Sequence, residues 1–228
     1  MGTSKGYIPP KNDNWKKAKA SITRMVNTED KKEGIKKAIS EYSNAYLNTH
    51  INSANIGKIT GNIIGFLLDA KENGLDKALE NQGLSNLLGK SSEEVYLGVI
   101  DYFCENNTTI EESVIRECAI DIFDDKQIID FEDLSKVDIK EFLTEFIIKY
   151  IQINFEVSFT EKIQGLCNDI ESSKKLINDV NDYIHDNIRN LYDIGELLEI
   201  NWRSQQGEEF IKHKCSECYE LMKSLQEV

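Results

Sequence analysis

The groups that could do chemistry in this 228-residue chain are few. Cys215-Ser-Glu-Cys218 is a C-x-x-C with His213 two residues upstream. Zinc would need a second ligand pair, which the neighbouring sequence lacks, and a thioredoxin-like dithiol would need a βαβ context. The motif reads more simply as two thiols at helical spacing, with Cys218 on an apolar side. His185-Asp186 is the one His-Asp dipeptide, and all-helical metal phosphohydrolases build their site from His…His-Asp…Asp sets. The set to test is His50, His185, Asp186 and Asp193. Only three histidines exist, however, and Asn181-Asp-Tyr-Ile-His-Asp-Asn has the look of a solvated helix face. Asp121, Asp124, Asp125, Asp130, Glu132 and Asp133 cluster without the ligand order of a calcium loop, so they too read as a solvated face. With no phosphate loop and no G-x-S-x-G, the chain reads as non-catalytic, with no metal or cofactor site.

The amino end is a chemical group of another kind. Glycine at position 2 permits removal of the initiator Met, leaving the unhindered α-amine of Gly2. An α-amine ionises near pH 7.7–8.0, so a fraction is neutral and nucleophilic where lysine, near 10.4, is not. Residues 1–12 hold Gly2, Thr3, Ser4, Gly6, and the chain's only prolines, Pro9 and Pro10. Proline fixes its own φ and restricts the residue before it, so this stretch is expected to be an extended, flexible tail. Twelve extended residues reach about 40 Å. The competing reading is a chain end with no role.

Whatever positions these groups is helical. Trp15, Ala18, Ile22 and Met25 recur at three and four, and Ile35, Ala38, Tyr42 and Tyr46 repeat the pattern. Ser53, Gly57, Gly61 and Gly65 fall every fourth residue, a stripe that admits a close backbone. The stripe serves either tight internal packing or a docking groove for another chain. Ser91-Ser-Glu-Glu94 and Thr108-Thr-Ile-Glu111 have capping-box spacing. Phe142, Phe146 and Tyr150, with Leu143, Ile147 and Ile151, mark a helix apolar around most of its surface, expected at the centre of the core. The pattern predicts one further helix from about Glu161 to Ile184, and another through Ile188, Leu191 and Ile194–Ile200. The expected architecture is all-α, a multi-helix bundle over residues 13–228 behind a 1–12 tail, with a sub-boundary near 126–138.

Composition bounds the partners. No window is apolar enough to cross a membrane, the start has no signal-type apolar core, and Gly6 stands where myristoylation wants Ser or Thr. Five cysteines suit reduced thiols in a cytoplasm. The net charge of −13 conceals a basic first part: residues 1–60 carry eleven Lys/Arg against five Asp/Glu. The remainder carries sixteen against thirty-five, which argues against direct nucleic-acid binding by the body. The split implies either two faces with different partners or internal pairing of basic with acidic segments.

Met-Gly-Thr-Ser, a tail with glycine and proline, and a basic helix carrying Trp15 together resemble the QatB family of Qat anti-phage defence systems. The helix over 36–46, the small-residue segment 53–65 running into Phe66-Leu-Leu, and Glu141-Phe-Leu-Thr-Glu-Phe before an apolar helix extend the resemblance over residues 1–165. It implies a non-catalytic subunit beside a QatA-type ATPase, a QueC-like (QatC-type) enzyme similar to cyano-deazaguanine synthase, and a TatD-like nuclease. Joined to the amine argument, it implies that Gly2 could accept a deazapurine as a covalent adduct. Thr3, Ser4 and Gly6 would fit a narrow partner tunnel, and Pro9 and Pro10 would stiffen its exit. A helical adaptor with an unmodified tail is the alternative.

Overall fold

The computed structural model describes residues 9–51, 55–104, 109–124, 136–195, 197 and 200–225. Gly2, Thr3, Ser4, Gly6 and Ser53 lie outside them, as do residues 126–135 of the expected sub-boundary. Nine α-helices and no strand occur among the described residues, as the periodicity predicts. They are α1 (Asp13–Asn27), α2 (Lys31–Leu47), α3 (Ile56–Asn73), α4 (Leu75–Asn81), α5 (Ser92–Phe103), α6 (Ile110–Asp124), α7 (Ile139–Leu166), α8 (Ile170–Leu191) and α9 (Gln205–Ser224).

The chain forms two compact units, each from discontinuous segments. One comprises Met1–Ser53, Ile151–Asp193 and Cys215–Val228, and so contains α1, α2, α8 and the C-terminal parts of α7 and α9. Its core is aromatic: Trp15, Tyr42, Phe155, Phe159 and Tyr219 are all buried. The other comprises Ala54–Tyr150 and Ile194–Lys214, with α3 to α6 and the N-terminal parts of α7 and α9. Ile63, Ile64, Phe66, Leu67, Ile115, Phe142 and Phe146 make up much of its core.

Helix α7 is buried along both its apolar rows, from Phe142 and Leu143 through Phe155 to Ile163, and it stays helical through the alternating 155–159 stretch. Two of its buried polar side chains have defined partners. Gln152 donates to the carbonyl of Asn181 at 2.9 Å, and Tyr150 Oη donates to Glu111 at 3.0 Å.

Three local expectations are corrected. The second capping pair lies one residue later than Thr108–Glu111: Thr109 Oγ1 accepts from Glu112 N, and Thr109 N donates to Glu112, both at 3.1 Å. Glu111 is thereby released to accept from Asn55 N at 2.8 Å, at the start of α3. The helix break expected between Ile184 and Ile188 falls instead at 167–169. There Asp169 caps α8 by accepting from Ser172 N at 2.7 Å, and α8 then runs unbroken to Leu191. No helix follows at 194–200 among the described residues. Gly195 has φ +83°, which ends helical geometry there.

Candidate functional site

The described part of the N-terminal segment is Pro9 to Asn12, with Pro9 buried and Pro10 half-buried. Asn12 is extended at φ −94°, ψ 174°, and its side chain accepts from Trp15 N at 3.0 Å. This cap starts α1, satisfying one of the amides that every helix start leaves open.

One turn into α1, Trp15 is fully buried. Its Nε1–H donates to Thr49 Oγ1 at 3.0 Å. The Thr49 hydroxyl donates its single proton to the carbonyl of Ala45 at 2.7 Å. His50 Nδ1 lies 2.6 Å from the same oxygen. Since that hydroxyl proton is already used, His50 must donate from Nδ1, which assigns the tautomer. Burial holds the His50 imidazole below its ordinary pKa, which favours this neutral form.

Around Trp15 the rings interlock. His50 meets it edge-on at 5.6 Å and stacks on Tyr46 at 5.1 Å. Tyr46 stacks in turn on Tyr219 of α9 at 4.5 Å and 11°. Tyr42 contacts Trp15 at 6.1 Å and Phe155 at 5.4 Å, and its hydroxyl lies 3.3 Å from that of Tyr219. Each favourable aromatic pair contributes roughly 0.5–1.5 kcal/mol beyond burial. The root of the N-terminal segment is therefore held by a largely buried aromatic cluster. Sequence reasoning considered His50 only as a metal ligand. Tyr42, Tyr46 and His50 at four-residue steps were the available signal for its packing role.

The glycine stripe faces the chain's own backbone. A Cβ on Gly57 would run into Glu208 and one on Gly61 into the Trp202 carbonyl. On Gly65 it would come within 2.7 Å of the Arg203 side chain. Arg203 lies 3.9 Å from Asp69, one turn beyond Gly65. The Gln82 carboxamide, with its oxygen turned toward Arg203, accepts from both terminal nitrogens at 2.9 and 3.0 Å. Gly207 repeats the arrangement, since a Cβ there would lie 2.5 Å from the Trp202 carbonyl. Residues 202–208 thus occupy the stripe within one unit.

The remaining candidates are dispersed. His185 and Asp186 pair at 3.2 Å on an exposed part of α8, whereas His50 sits in the aromatic cluster. Asp121 pairs with Lys149 at 3.3 Å, and Asp124 accepts from Tyr96 at 2.7 Å. Asp125, Asp130, Glu132 and Asp133 lie outside the described residues. Cys215 and Cys218 form no disulfide and are fully buried on α9. No group of three His, Cys, Asp or Glu side chains among the described residues is placed to hold a metal ion. No helix among them is long and apolar enough to cross a membrane.

An all-helical body with a capped, aromatic-anchored N-terminal root is the class of protein these features define. Residues 49–222 match the family described as Qat anti-phage system associated protein QatB. The chain belongs to the QatB family, and its role lies in the Qat anti-phage system. The match extends through most of α9, beyond the residue-165 limit of the resemblance read from sequence, and it begins after α2. No curated protein and no solved structure gives a significant match.

Proposed function

We propose that this chain is a non-catalytic, cytoplasmic subunit of a Qat complex that presents its N-terminal amine to the system's QueC-like enzyme. In this reading the enzyme activates a deazapurine carboxylate with ATP, releasing pyrophosphate and forming an acyl adenylate. The neutral α-amine of Gly2 attacks the acyl carbon, an amide bond forms, AMP leaves, and the amine loses a proton to solvent. Thr3, Ser4 and Gly6 are small enough for a narrow tunnel, and Pro9 and Pro10 stiffen its exit.

The observation that carries the reading is the pairing of a Gly2 amine with a root held by Asn12 and Trp15, in a chain of the QatB family. The other Qat components are the natural partners: the QueC-like enzyme, the ATPase and the TatD-like nuclease. Intact-mass measurement after co-expression with an active QueC-like component should show one deazapurine adduct, mapped to Gly2. An unchanged mass beside an active enzyme would remove the proposal.

The second reading is an adaptor with an unmodified tail, and the family match favours it in one respect, since it covers 49–222 and not the tail. Deleting residues 1–8 separates the two readings. The deletion spares the Asn12 cap, so an adaptor should keep anti-phage protection while a tail-delivering subunit should lose it.

A further inference from the structure

The exposed side of α1 is cationic. Between Asn14 and Thr28 the chain carries Lys16, Lys17, Lys19 and Arg24 and no acidic residue. Lys16 pairs with Asp13 at 2.9 Å. Lys17 and Arg24 are exposed and seven residues apart, two turns along one face. Lys11 is exposed just ahead of the helix, and Lys32 is exposed at the start of α2. No ion pair among the described residues engages Lys11, Lys17, Arg24 or Lys32, although the exposed Asp13 carboxyl is held low by Lys16 and, less, by Lys17, and Glu29, Asp30 and Glu33 are exposed beside Lys32. On the opposite face Trp15, Ala18, Ile22 and Met25 are wholly buried, so α1 cannot roll to hide its cations.

Reach decides where a partner must sit. Pro9 is buried, and the seven residues from Gly2 to Ile8 span at most about 25 Å. Helix α1 is itself 15 residues long, about 22 Å. An enzyme that draws the Gly2 amine into a cavity therefore has to rest its mouth near Pro9, within reach of the α1 surface.

We infer that Lys17 and Arg24 on the exposed face of α1, with Lys11 just ahead of the helix, dock the enzyme that receives the tail, and that the mouth of that enzyme is rimmed with carboxylates. The inference rests on the tail-delivery reading above. A protein carboxylate rim fits better than nucleic acid, because a chain of net charge −13 repels an extended polyanion overall. Docking by such a rim would raise the encounter rate and set orientation more than it would deepen affinity.

The test uses the full chain with the purified QueC-like Qat component, ATP and a deazapurine carboxylate, and follows adduct formation by intact mass. The variant Lys11→Glu/Lys17→Glu/Arg24→Glu is compared with Lys174→Glu/Lys175→Glu, an equally exposed pair on α8. At about 50 mM salt the α1 variant should be modified about tenfold or more slowly, while the α8 variant matches the native chain. Raising salt to about 500 mM should slow the native chain and close most of the gap. All altered residues are exposed, and unchanged circular dichroism confirms folding. If the native chain is modified and the α1 variant keeps pace at both salts, the docking face is refuted and tail delivery survives. If the native chain is never modified, both readings fall. If the triple change abolishes binding to a 30-base-pair duplex but leaves modification intact, the face belongs to nucleic acid and the inference is overturned.

Discussion

Trp15 does two jobs with one side chain: it fills the aromatic core and satisfies a hydroxyl that must serve three partners. Trp15→Phe keeps most of the volume and removes the donor to Thr49, so the expected loss is about 1–2 kcal/mol by urea denaturation. Trp15→Ala opens a cavity as well, and should lose about 3–5 kcal/mol. His50 makes the same cluster sensitive to pH. Its pKa in the folded chain is held below the unfolded value of 6.5 by burial. As pH falls below 6.5 the unfolded chain takes up a proton that the folded chain resists. Stability present at pH 7.5 should therefore decline on going to pH 5.5, and further until the folded imidazole also protonates. His50→Asn retains a donor toward Thr49 and should flatten that part of the profile, as read by denaturation midpoints at the two pH values. The helical spacing of Trp15 was legible in the sequence. Its partnership with Thr49 and His50 was not, because a contact across 34 residues has no local periodicity.

At the scale of elements, the glycines of α3 and α7 provide a contrast in sign. Alanine gains about 0.8–1.0 kcal/mol over glycine in a helix interior. At Gly61 that gain meets the Trp202 carbonyl, which belongs to backbone and cannot swing away. Overpacking of this kind costs about 1–3 kcal/mol, so Gly61→Ala should destabilise the chain by up to about 2 kcal/mol. Gly65→Ala should cost less, since Arg203 can move its side chain. At Gly165 nothing lies within 4 Å of the place a methyl group would take, so alanine there, near the end of α7, should gain a few tenths of a kcal/mol. Urea midpoints on the three variants check the ordering. The four-residue spacing was plain in the sequence, but which backbone fills the stripe was not. The capping register shows the same limit. Thr108–Glu111 and Thr109–Glu112 have equal spacing, and the choice between them follows from Glu111 being needed at the start of α3 and at Tyr150. Glu111→Ala should leave that hydroxyl and that amide without their acceptor, at about 1–3 kcal/mol, while Glu111→Gln should cost less.

Over the whole molecule, thiol reactivity reports packing without reference to function. Cys104, Cys118, Cys215 and Cys218 are buried and Cys167 is half-buried. Burial pushes the Cys104 thiol up to about 11 and that of Cys118 well above its ordinary value. The native chain should therefore titrate rapidly at Cys167 alone with an aromatic disulfide reagent, and at all five thiols once denatured. Rapid reaction at Cys215 or Cys218 would contradict the packing around Tyr219. Much of the chain was settled by the sequence itself: helices throughout, the absence of proline after Pro10, the apolar rows of α7, and a family resemblance that the match over 49–222 supports. These are local properties, carried by spacing over one or two turns. Tertiary structure alone decided that α7 and α9 each divide their residues between two units, that residues 202–208 fill the glycine stripe, and that His50 belongs with Trp15. Periodicity states which face of a helix is buried, but not which distant segment buries it, because that depends on the shapes of two surfaces meeting in space.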